Sequence, residues 1–137
     1  MGSSNGSARS RRALQITLGA LSLVPALSGA VGLVKGPRAL PGSTGTTDPA
    51  LDSEYRVNSA FLLVTAPVIW ASIPKIEHAT GALRLIGAAG FLGGIGRLLS
   101  WKQVGRPHPL YVAAAVLELA GVPVLVAWQE RVRRRMR

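Results

Sequence analysis

Cysteine is absent from the 137 residues, which excludes disulfide scaffolds, thiol catalysis and thiolate metal sites. Charge is scarce. Only 16% of the residues are Asp, Glu, Lys or Arg, against about 25% in ordinary soluble domains, so a conventional soluble globule is disfavoured. Acidic residues are scarcer still: 6 of them face 16 Lys and Arg, leaving a formal charge of +10. Aromatics make up 5%. What is plentiful is apolar surface, at 48% of residues, and this excludes a disordered chain, which must be poor in apolar residues. The length supports one domain. A membrane protein and a basic nucleic-acid binder remain, and the placement of the charges decides between them.

Residues 13–34 contain no charge, and at about 1.5 Å per residue they cover the roughly 30 Å hydrocarbon core. Three further runs are predicted as spans over about 57–73, 84–103 and 110–128. Each lies near the short end of the spanning range, but the gaps between them hold turn formers and charges. The expected organisation is a disordered basic tail over 1–12, a four-helix transmembrane domain over 13–130 and a basic tail over 131–137. The stretch Gly36 to Pro49 is predicted as a flexible excursion because of its Gly, Ser, Thr and Pro content. Short connections favour an all-α, up-down-up-down bundle of four transmembrane helices. No internal repeat is present.

Aromatic placement agrees, since Trp and Tyr gather at membrane interfaces. Tyr55, Trp70, Trp101, Tyr111 and Trp128 fall at or near span ends, whereas Phe61 and Phe91 fall inside. Counting Lys and Arg in the flanking segments puts ten on the side of both termini and the second loop, and six on the other. The positive-inside rule then predicts both termini in the cytoplasm and a multi-pass protein of the cytoplasmic membrane. Pro25, Pro67 and Pro123 lie within spans, where bilayer helices tolerate a kink.

Charges inside spans are costly and mark function or structure. Glu118 is about 12 Å below the outer end of span four, and Arg97 about 9 Å below the same surface. With Glu54 and Arg56 at the head of span two, they form a predicted cluster of four, Glu54, Arg56, Arg97 and Glu118, whose formal charges cancel. Two readings fit: a structural ion pair locking helices three and four, or an outward-facing site for a small polar ligand or lipid. Gly87, Gly90 and Gly94 line one face of span three and are predicted to pack against a neighbouring helix.

The residues Glu54-Tyr-Arg56, Gly93-Gly-Ile-Gly96-Arg97-Leu-Leu-Ser100, Gly105-Arg-Pro107, Glu118 and Pro123 together resemble a bacterial family of small four-helix membrane proteins known as a domain of unknown function. That family is distantly similar to the DoxX-like membrane proteins. The resemblance spans roughly Ile16 to Gln129, and its most specific part is the G-x-x-R-x-x-S and G-x-P elements. It implies fold and location, and no activity.

Other motifs have plainer explanations. Ser10-Arg11-Arg12-Ala13-Leu14 resembles a twin-arginine signal ending near Leu27-Ser-Gly-Ala30. The apolar run is longer than the usual h-region, however, and favours a retained span. The run Arg131 to Arg137 follows span four directly and reads as a topology anchor on anionic lipid headgroups rather than a nucleic-acid site. His78 and His108 lack metal-ligand spacing, and Ser100 lacks triad partners. No cofactor or metal is expected. The function predicted is that of a non-enzymatic membrane protein, with the lipid bilayer, a second copy or another membrane protein as partners; the alternative is an accessory subunit of a membrane redox or transport system.

Overall fold

A computed structural model describes residues 2–136, all of whose regular elements are helical. Helix α1 covers Gly2–Lys35, α2 Pro49–Ser72, α3 Thr80–Val104, α4 Pro109–Val116 and α5 Val122–Arg135. Short 3-10 turns at Pro37–Ala39 and Ile73–Lys75 punctuate the chain, and a π turn at Leu117–Gly121 joins α4 to α5. The last three elements form one continuous fourth span. Four stretches are thus long and apolar enough to cross a membrane: Asn5–Lys35, Pro49–Lys75, Thr80–Val104 and Pro109–Arg135.

Local chemistry explains where the helices start; all four spans run beyond the sequence expectation, and α1 and α2 start the furthest ahead of it. Asp48 caps α2, its Oδ1 accepting from the Ala50 and Leu51 amides at 2.9 and 3.0 Å. Pro49 follows at the first helical position. Asp52, Glu54 and Arg56 therefore sit on the first turns of a helix rather than in a loop. Residues 2–12, expected as a disordered tail, continue α1. Arg11 helps to hold them: its Nη2 donates to the Pro74 carbonyl at 2.7 Å and its Nε to Glu77 at 3.1 Å. Ser10 also accepts from the Trp128 indole at 2.9 Å.

The contacts between α1 and α2 pair rising with falling residue numbers, so these two helices form an antiparallel hairpin. Gln15 Nε2 donates to the Ile73 carbonyl, Trp70 Nε1 to Ser22 Oγ at 2.6 Å, and Gly29 abuts Ser59 and Leu63. At the far end Gly36 meets Asp52 and Arg56. A second antiparallel hairpin pairs α3 with the fourth span: Arg84 with Glu130, Gly87 with Val122 and Val126, Gly94 with Glu118 and Leu119. The hairpins meet at the end where α1 begins, around a small core of Leu14, Ile76 and Val132, with Leu18, Leu83, Leu125 and Trp128 packed on it. Gln129 is buried there, donating to the Ile76 carbonyl at 2.9 Å and to Thr80 Oγ1 at 3.0 Å. Arg11, Gln15 and Gln129 thus donate to the carbonyls of Pro74, Ile73 and Ile76 in the turn after α2.

Elsewhere the apolar side chains point outward. Phe61 is 71% exposed and Leu85 74%, and every span carries residues of this kind. Apolar exposure of this extent on all sides would drive a soluble protein to aggregate, whereas in a bilayer it is the lipid-facing surface.

Candidate functional site

Among the described residues, the two charges in the middle of the spans meet directly. Arg97 Nε donates to Glu118 Oε2 at 2.8 Å, and Nη2 to Oε1 at 3.2 Å, a bidentate fork joining α3 to the fourth span. The pair is only half enclosed: the Arg97 side chain is 37% exposed and that of Glu118 23%.

Glycine makes this approach possible. Gly90, Gly94 and Arg97 share one face of α3 at i, i+4 and i+7. At Gly94 a Cβ would lie 2.7 Å from Leu119 Cγ and 3.0 Å from Glu118 Cβ, so any larger residue would force these side chains to shift. Gly93 leaves room for the carboxylate itself, whose oxygens lie 3.8 to 4.0 Å from where its Cβ would stand. Further along, Gly87 receives Val122 and Val126, and Gly90 receives Val122. Gly96 borders open space and takes no part.

Glu118 lies within the π turn, where the Val122 amide donates to the Leu117 carbonyl five residues back. Pro123 accounts for this widening. It has no amide to offer the carbonyl of Leu119, and its ring would collide with that carbonyl in a regular helix. The extra residue in the turn relieves the collision and rotates Glu118 relative to the α4 face. Such turns within helices recur at functional sites.

Tyr111 completes the surroundings. The Arg97 guanidinium carbon lies 5.6 Å from its ring centroid, a cation–π distance. His108 stands edge-on to the same ring at 6.4 Å. The Tyr111 hydroxyl is buried and, among the described residues, has no hydrogen-bond partner, an expensive condition for a phenol.

Of the four residues predicted as a cluster, the structure brings two together. Arg56 turns to Asp52 instead, with Nε donating to Oδ2 at 2.7 Å, and its Nη1 donates to the carbonyls of Leu33 and Val34 at 2.7 and 3.0 Å. It closes the C-terminal end of α1, where those carbonyls lack helical partners. Glu54 is exposed. Among the described residues no ion pair links either of them to Arg97 or Glu118. The difference follows from the early start of α2: Asp52 and Arg56 become i,i+4 neighbours on one helix, while Glu54 points away.

Tyr111, Gly93 and the π turn escape sequence reasoning. The Gly121-x-Pro123 spacing was the available signal for the last, and the i+3 step from His108 to Tyr111 for the first. Among the described residues no three His, Asp or Glu side chains gather as metal ligands would.

The profile of a family described as a domain of unknown function, DUF4345, matches residues 13–129, which include all four apolar runs and both members of the ion pair. No curated protein and no solved structure matches the chain.

Proposed function

The chain belongs to the DUF4345 family, and we propose that it is a non-enzymatic multi-pass protein of the bacterial cytoplasmic membrane that uses Arg97, Glu118 and Tyr111 to hold a small polar ligand or lipid headgroup. In this reading it threads the bilayer up-down-up-down with both termini in the cytoplasm. Charge asymmetry supports that orientation: the end carrying both termini holds ten basic and two acidic residues, the other end six and four.

One observation carries the ligand reading. The buried Tyr111 hydroxyl has no partner among the described residues and belongs to the ring beneath Arg97. A site whose only task was to lock two helices would gain nothing from a desolvated, unsatisfied donor beside it. A ligand bearing a carboxylate, phosphate or carbonyl oxygen can accept from Tyr111 and share the outer side of the Arg97 fork. Part exposure of the pair leaves that route open.

The bidentate geometry favours a second reading, a lock between α3 and the fourth span. One variant separates the two. Glu118→Gln keeps shape and a hydrogen bond to Arg97 but removes the charge. Under the ligand reading the purified variant keeps its thermal transition in detergent and loses whatever small molecule mass spectrometry finds with the wild type. Loss of the folded state together with the ligand identifies the lock. A flavin, haem or quinone arriving with a co-purified membrane subunit would instead assign the chain to a redox assembly.

A further inference from the structure

At the opposite end of the molecule a groove of about 760 Å³ opens between α2 and α3. Its walls are small or apolar: Pro67, Val68 and Ala71 on one side, Gly81 and Ala82 on the other. At its mouth stand Lys75 and His78. No large side chain fills it, and a Cβ added at Gly81 would meet nothing within 4 Å. Pro67 and Lys75 are eight residues apart, so the groove runs on the order of 12 Å from the apolar stretch of span two to the polar turn.

We propose that this groove is a binding site for an anionic phospholipid, with one acyl chain lying along the Val68–Ala71 wall and the phosphate held by Lys75 and His78. Three observations make the occupant an anionic amphiphile. The groove lies where two apolar stretches long enough to cross a membrane end in a polar turn, the place where an acyl chain would meet its headgroup. The cation at its edge is unspent: among the described residues Lys75 has no ion pair and no side-chain hydrogen bond, whereas Arg11, Arg84, Arg133 and Arg134 at the same end are bound to Glu77 or Glu130. The whole end is strongly positive, with ten basic residues against two acidic, and so attracts anionic headgroups in advance of any specific contact. The site is separate from the Arg97–Glu118 pair, and its His78 also borders a smaller pocket formed with Arg133 and Met136.

Native mass spectrometry of the full, delipidated chain in detergent tests this, with phosphatidylglycerol and phosphatidylcholine added in turn. The first phosphatidylglycerol is expected at about tenfold lower lipid concentration than the first phosphatidylcholine, as one charge-assisted contact allows. Gly81→Leu, which extends into open space and improves the helix, should fill the groove and weaken that first binding about tenfold while thermal stability is kept. Lys75→Gln should abolish the preference between the two lipids. Replacing Arg131, Arg134 and Arg135 together by Gln should leave the first binding event intact. Equal binding of the two lipids by the wild type, undiminished binding by Gly81→Leu, an undiminished preference in Lys75→Gln, or loss of the first lipid in the terminal variant would each overturn the proposal.

Discussion

Where α1 meets α2, Gly29 lies directly against the backbone of its neighbour. A methyl group at Gly29 would stand 2.5 Å from the Leu63 amide nitrogen and 2.8 Å from the Ser59 carbonyl oxygen. Where α3 meets the fourth span, glycine faces side chains: Leu119 at Gly94, Val122 and Val126 at Gly87. The first hairpin is also closed by fixed hydrogen bonds at both ends and in the middle, from Arg11 and Gln15 through Trp70 to Arg56. The second has Arg84–Glu130 and the Gln129–Thr80 hydrogen bond at one end and one half-open ion pair inside. Backbone cannot move aside without moving a helix, whereas a leucine or valine can change rotamer. The first hairpin is thus a rigid support and the second an adjustable one, and the adjustable one carries the candidate site.

Substitution at the two glycine contacts tests this contrast most strongly. Gly29→Ala should cost about 3 kcal/mol, at the upper end of ordinary overpacking, because backbone atoms must give way. Thermal unfolding in detergent measures it, and a loss under about 1 kcal/mol would show that the hairpin yields. Gly94→Ala should cost less, about 1 to 2 kcal/mol, since Leu119 can shift. Gly96→Ala, bordering open space, should be neutral or slightly stabilising through helix propensity. Equal losses at 94 and 96 would deny the fourth span its seat on the glycine face.

The smallest expected effect concerns the basic end. Glu77 is held below its usual carboxyl value of 4.5, first by its own backbone amide and then by Arg11, against the opposing effect of burial. A carboxyl lowered in the folded state stabilises fully above its unfolded value and loses that contribution as pH falls through the lowered one. The wild type should therefore lose stability relative to Glu77→Gln only below about pH 4.5. A difference that changes between pH 6 and 8 would point to another group.

Much of the architecture is legible residue by residue. Ala13 to Val34 has the length of a span and no charge, so its helical, membrane-crossing character follows from the cost of leaving amides unbonded in hydrocarbon. The stripe Gly87, Gly90 and Gly94 is visible as helical spacing, and so are the similar depths of Arg97 and Glu118. The pairing of Arg56 is not. Its partner depends on whether Asp52 lies in a loop or on a helix, which the Asp48–Pro49 cap decides. Gly29 and Gly32 are likewise silent in the sequence, because nothing local says that Ser59 will stand against them.

The sequence by itself determined four helical spans and the strong charge asymmetry between their two ends, since both follow from transfer energies that act on each residue separately. The tertiary structure alone decided which charges meet, why Tyr111 keeps an unsatisfied hydroxyl, and that a groove remains beside Lys75. These depend on how closely two backbones approach and at what rotation, and a single glycine or a proline-widened turn sets that distance only once the neighbouring helix is present.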